Sequence, residues 1–157
     1  MQFLLHEVFD VCAHYKDTSR YAEVDADTIN AVLEEGGRFA AEVAFPLNMT
    51  GDSEGCVLDR DTHEVATPQG FRQAYAQYVE GGWPALSCDP EHGGQGLPFV
   101  LNQCLYEMLN SANQAWTMYP GLSHGAYEAL HAHGTDEQKR LYPVSYTHLT
   151  LPTICSV

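Results

Sequence analysis

Basic residues are scarce in this chain: seven Lys and Arg stand against 21 Asp and Glu in 157 residues, a formal net charge of −14. So few cations cannot neutralise a run of phosphates, which excludes nucleic acid as a partner. The same imbalance argues against an anionic membrane surface. Long apolar runs are also missing, and no stretch reaches the roughly 18 residues that a spanning helix needs. The start, Met1-Gln2-Phe3-Leu4-Leu5-His6-Glu7, has neither a basic leader segment nor a cleavage site. The five cysteines are odd in number and show no Cys-x-x-Cys spacing. They suit reduced thiols in a cytoplasm better than a disulfide framework. The expectation is a cytoplasmic protein with no membrane segment and no metal site.

What is present has a globular balance, with 45% hydrophobic and 18% charged residues. A chain of this size can bury roughly 68–70% of its unfolded surface, enough for a core. Phe3, Leu4, Val8 and Cys12 fall at helical spacing and predict a helix over 2–15. Asp25 or Asp27 opens a second helix that runs through Ile29, Val32, Leu33, Phe39 and Val43 to Pro46. Gly36-Gly37 weakens it by about 1 kcal/mol per glycine relative to alanine. Residues 51–66 turn polar, and Cys56-Val57-Leu58 with Glu64-Val65-Ala66 predict a small hairpin.

Thr67-Pro68 reads as a cap followed by a first-turn proline, and Gly81-Gly82 stops the helix they open. Residues 82–98 hold seven glycines and prolines and predict an irregular loop. A helix over 99–115 carries a broad apolar face. Pro120-Gly121 predicts a break before a further helix over 121–133, ended by Gly134. Thr135 with Gln138 reads as a capping box for a last helix. The fold class is therefore all-α with a hairpin or irregular insert near 55–66, in one domain over 1–143.

Val144 to Val157 differ from the rest. These fourteen residues contain no Asp, Glu, Lys or Arg. The string Val-Ser-Tyr-Thr-His-Leu-Thr-Leu-Pro-Thr resembles the translation of a transposon-end sequencing adapter. It is expected to be a non-native tail.

Three constellations could carry chemistry. Gly121-Leu122-Ser123-His124-Gly125 matches the nucleophile elbow of serine hydrolases, and His92-Gly93-Gly94-Gln95-Gly96 imitates their His-Gly-Gly oxyanion loop. Only residues 97–120 separate the two, too few for the strands and helices that fold requires between them. A triad acid and histidine after the serine could come only from Asp136 and His148. Glu128-Ala129-Leu130-His131 is a Glu-x-x-His step of the kind used in di-iron helical bundles, with His124 and Glu107 as further candidates. No second such step exists, and a solvated helix face explains it as well. The glycines of 93–96 could turn backbone N–H groups toward a phosphate, or could merely shape a turn into the next helix.

The run Glu80-Gly81-Gly82-Trp83-Pro84-Ala85-Leu86, followed by Glu91-His92-Gly93-Gly94-Gln95-Gly96-Leu97-Pro98, resembles the loop before the long helix of acyl-CoA dehydrogenases. Phe45-Pro46-Leu47-Asn48, Thr67-Pro68-Gln69-Gly70-Phe71, Ser111-Ala112-Asn113 and Tyr119-Pro120-Gly121-Leu122-Ser123-His124-Gly125-Ala126 narrow the resemblance to the branch that includes methylthiopropanoyl-CoA dehydrogenases. It covers nearly all of residues 1–143 and implies the N-terminal helical domain of that fold. The resemblance implies oxidation of the Cα–Cβ bond of a short acyl-CoA to the 2-enoyl-CoA in a prokaryotic cytoplasm. It implies FAD as cofactor, an electron-transfer acceptor as partner, and a homo-oligomeric parent enzyme. In the family the flavin rests on a middle β-domain and the catalytic glutamate on a C-terminal helical domain. No catalytic or flavin residue can therefore be carried over, and this chain alone is expected to be inactive. By the Gly-x-Ser-x-Gly step, the resemblance implies Trp116, Pro120 and His124 as one wall of the acyl pocket, with Trp116 favouring small acyl groups.

Overall fold

The computed structural model describes the backbone of residues 1–141 and the side chains of residues 1–139. The 144–157 segment, including His148, lies outside the described residues. The order is a wide-turn helical segment Leu4–Val8, α1 (Val11–Lys16), α2 (Ala26–Phe39), α3 (Leu47–Glu54), β1 (Val57–Leu58), β2 (Val65–Ala66), α4 (Phe71–Glu80), α5 (Phe99–His133) and α6 (Asp136–Leu141). The hairpin is where the sequence puts it, antiparallel with Val57 opposite Ala66 and Leu58 opposite Val65.

Local chemistry sets the boundaries. Asp25 accepts from the Thr28 backbone N–H at 2.8 Å and from the Thr28 hydroxyl at 2.7 Å, capping α2. Those bonds favour the ionised carboxylate and hold Asp25 below its usual range. Thr135 and Gln138 close the predicted capping box: each backbone N–H donates to the other's side chain, at 2.9 and 3.2 Å. Gly81 and Gly82 end α4, with Gly82 at φ 74°.

Four boundaries depart from expectation. The helix predicted over 2–15 is interrupted at Asp10, which takes φ 43° and caps α1. Helix α3 occupies residues that read as too polar for one; no residue in it is buried, so no apolar period marks it. Helix α4 starts after Gly70 rather than at Thr67, because Gly70 supplies the left-handed turn at φ 87°. The break expected at Pro120-Gly121 lies instead at Asn113, with φ −160° and ψ 87°, and the helix runs on through Pro120. Asn113 can cap a new helical start with its side chain. Pro120 forfeits a backbone bond and crowds the carbonyl four residues back, and its burial in the packed helix offsets that cost.

The core lies between α2, α4 and α5, built on Ile29, Leu33, Phe71, Tyr78, Leu101, Leu105, Leu109 and Trp116. Gly36 has a packing role here. A methyl group at Gly36 would stand 3.1 Å from both the Leu105 and Met108 side chains, so the glycine lets α2 approach α5 closely.

Candidate functional site

Behind that core, α4, the 82–98 loop and both halves of α5 enclose a cavity of about 10 Å3. Pro120, Ser123, His124 and Tyr127 line it at spacings of three and four along one face of α5. Tyr75, Pro84, Cys88 and Tyr106 complete the wall. Such a space holds about one water-sized group. Two of the three residues assigned to the acyl wall, Pro120 and His124, thus meet at one cavity. Trp116 is fully buried among Phe39, Tyr75 and Tyr78, and its indole N–H donates to the Phe71 carbonyl at 3.3 Å. It does not line the cavity itself, and its ring meets Tyr75, which does.

The cavity lining is mainly apolar, and the few polar groups in it are uncharged near neutral pH. Burial pushes the Cys88 thiol up to about 11, and the Tyr106 and Tyr127 hydroxyls up to about 12. Burial lowers His124, with nearby Glu128 opposing the shift only in part. The Asn102 amide donates to His124 Nε2 at 3.2 Å, as a neutral imidazole protonated on Nδ1 requires. The His124 ring stacks between Phe99 and Tyr127 at centroid distances of 6.0 and 6.2 Å. Ser123 Oγ and Tyr78 Oη are buried without a hydrogen bond of good geometry. Ser123 lies near enough to Tyr75 to oppose in part the upward push of burial on its hydroxyl, and Tyr106 and Tyr78 lie near enough to shift each other.

The loop wall is held by its own backbone. The N–H groups of Gly93, Gly94, Gln95, Gly96 and Leu97 donate to the carbonyls of Pro90, Asp89, Ala85, Cys88 and Leu86, all within 3.1 Å. A Cβ on Gly94 would stand 2.0 Å from the Cys88 carbonyl oxygen, so glycine is required for this crossing. Tyr127 ties the loop to α5 by accepting from the Asp89 N–H at 2.7 Å. These donors are already spent, and the loop is not a phosphate cradle.

The other two constellations dissolve as well. Ser123 sits in mid-helix with no strand before it, so Gly121 to Gly125 do not form a nucleophile elbow. Glu128 faces His124 at 3.5 Å. His131 stacks on Tyr127 at 5.5 Å and lies across from His92. Asp89, Glu91, His92, His131 and Asp136 share an open cleft, yet among the described residues no three His, Cys, Asp or Glu side chains converge on a metal position.

Comparison with known proteins decides the family. Residues 30–145 match the sequence profile described as "Acyl-CoA dehydrogenase, N-terminal domain". The chain belongs to the acyl-CoA dehydrogenase family. It is 43% identical over 122 residues to the 3-methylmercaptopropionyl-CoA dehydrogenase of Ruegeria pomeroyi, an alignment covering 78% of this chain and 20% of that protein. It is 32% identical over 120 residues to the broad-specificity linear acyl-CoA dehydrogenase of Mycobacterium tuberculosis, covering 76% and 20%. It is 30% identical over 138 residues to the butyryl-CoA dehydrogenase of Syntrophomonas wolfei subsp. wolfei, covering 87% and 22%. The match spans about a fifth of the length of these relatives.

No ionised base or nucleophile lines the cavity, and no row of free N–H groups is offered to a pyrophosphate. The described residues therefore do not fit FAD. Tyr75, Cys88, Tyr106 and Tyr127 were absent from the sequence-based wall. Tyr75 gave a signal only as part of an apolar helix face, and nothing local places Cys88 opposite it. Among the described residues, no helix is long and apolar enough to cross a membrane.

Proposed function

We propose that residues 1–143 are the N-terminal helical part of a larger FAD-dependent enzyme. It oxidises the Cα–Cβ bond of a short acyl-CoA to the 2-enoyl-CoA and passes the electrons to a transfer partner. The supporting observation is the family match over residues 30–145, which spans the packed unit that encloses the cavity. In this reading the flavin and the catalytic base belong to parts of the enzyme beyond residue 143. Val144 to Val157 are foreign, the parent is a homo-oligomer, and its setting is the cytoplasm. In this reading the 157-residue chain has no turnover of its own, because the flavin and base that stabilise the transition state lie elsewhere in the enzyme.

Pro120 and His124 form one wall of the acyl pocket directly, and Trp116 supports it from behind through Tyr75. The space among these rings holds only about one water-sized group, so in this reading they close the distal end of the pocket and leave room for a short acyl group only. The wall's uncharged hydroxyl, thiol and imidazole groups tolerate a heteroatom in that group better than an all-hydrocarbon lining would. This agrees with the thioether acyl group named for the Ruegeria pomeroyi relative.

The test joins residues 1–143 to the genomic sequence that follows them and assays the product with short acyl-CoA thioesters and an artificial electron acceptor. The longer protein should be yellow and active, and the 157-residue chain colourless and silent with added FAD. Turnover by the short chain would overturn the division of labour. A yellow longer protein that oxidises no acyl-CoA would overturn the function.

A further inference from the structure

Asn113 is the most unusual residue of α5. It is 1% exposed, polar, and the one position inside the helix with non-helical backbone angles. Its polar groups are nonetheless engaged. The side-chain oxygen accepts from the Trp116 N–H at 3.0 Å, the backbone carbonyl accepts from the Thr117 hydroxyl at 2.8 Å, and the side-chain amide donates to the Ala44 carbonyl at 3.1 Å. The first two bonds make Asn113 the N-cap of a new helical start within α5. The third reaches 69 residues back along the chain, to the wide helical turn Ala40–Ala44 that extends α2.

We infer that Asn113 is a positioning residue that aims the second half of α5, fixing Pro120, Ser123, His124 and Tyr127 as the cavity wall. Before the break, Leu101, Leu105 and Leu109 pack into the core with α2, while Asn102 and Tyr106 meet the residues that follow the break. Residues after it can reach the 82–98 loop only if the helix changes direction at 113, and the Ala44 strut sets that direction. Alanine would remove both cap and strut and would leave the Trp116 N–H and the Ala44 carbonyl buried without partners. Serine can restore the cap but is too short for the strut. A leucine at 113 would fill the volume but could not start the second helical run.

Two buried thiols read this directly. Cys88 lies on the cavity wall beyond the break, and Cys104 lies in the core before it. The inference rests on the acyl-wall reading above, but the measurement needs no substrate. Its failure leaves the dehydrogenase assignment standing, and failure of that assignment leaves the geometry standing. Mass spectrometry would follow alkylation of each cysteine by iodoacetamide in the 157-residue chain and in Asn113→Ala and Asn113→Ser. Asn113→Ala should speed labelling of Cys88 by about tenfold or more while Cys104 stays within about twofold of its original rate. Asn113→Ser should fall between Asn113→Ala and the unchanged chain. Cys88 unchanged in Asn113→Ala, or Cys88 and Cys104 rising together while helical circular dichroism persists, would overturn the positioning role. If Asn113→Ala loses its helical signal, Asn113→Ser decides by the same ratio of rates.

Discussion

Cys88 shows at the residue scale how burial changes what a side chain can do. A thiol held near 11 is almost wholly protonated at neutral pH, and the thiolate is the reactive form. Cys56, by contrast, is exposed beside the hairpin. Alkylation followed by peptide mapping should therefore mark Cys56 first and Cys88 last. Early labelling of Cys88 would mean that the cavity is open to solvent. The same burial gives a pH dependence. Cys88, Tyr106 and Tyr127 are neutral when protonated, and the folded state holds their protons more tightly than the unfolded chain does. Their contribution is complete below about pH 9 and is lost as pH rises through 9–12, because the folded state there binds more protons. His124 works on the other flank. Burial lowers it, so the unfolded chain binds more protons and stability declines as pH falls below about 6.5. Helical circular dichroism across a pH series should show a plateau between these flanks. Equal stability at about pH 8 and pH 11 would contradict the burial of the cavity groups.

Helix α5 marks, at the element scale, the limit of what the sequence discloses. Its apolar period, the loop before it and the capping box after it follow from residues close in sequence. The Asn113 break depends on a carbonyl 69 residues away and on complete burial, and neither leaves a local trace. Pro120 and Gly121 carry the stronger local signal for a break, and the tertiary packing overrides it. Helix α3 was illegible because none of its residues is buried; it meets the core only through the partly buried Leu47 and the close approach of Gly51 to the Phe71 ring. The site was half legible. His124 and Pro120 follow from a motif, whereas the tyrosines opposite them are supplied by other elements. Trp116 tests the two layers. Phe or Trp to Ala in a core typically costs about 3–5 kcal/mol, and Trp116 also gives up its bond to the Phe71 carbonyl. In the longer enzyme, Trp116→Ala should lower the unfolding midpoint and, as Tyr75 settles into the vacated space, shift preference toward longer acyl groups by roughly tenfold. Lost stability with an unchanged chain-length profile would confine Trp116 to packing.

The family resemblance held at the scale of the whole molecule because it draws on segments spread from Phe45 to Ala126. The same scale shows which apolar side chains the described residues leave uncovered. Phe3, Phe9, Phe45, Met49, Met118 and Leu122 are all between 60% and 73% exposed. Phe45 also borders an open groove with Met108 and Ala112. Soluble monomers seldom show contiguous apolar patches beyond a few hundred Å2. If residues 1–143 are part of a larger enzyme, the remainder of that enzyme is the natural cover. The charge of −14 keeps copies apart only through long-range repulsion, which salt screens beyond about 10 Å at 0.1 M. The isolated chain should therefore bind a hydrophobic dye and associate more strongly as salt rises, in size-exclusion and dye-fluorescence series. Apolar contact is only weakly salt-dependent at these concentrations, so the salt response isolates the loss of repulsion. A sharp monomer peak at moderate salt, with cooperative unfolding and no dye binding, would show that these residues cover themselves. That result would count against the larger enzyme.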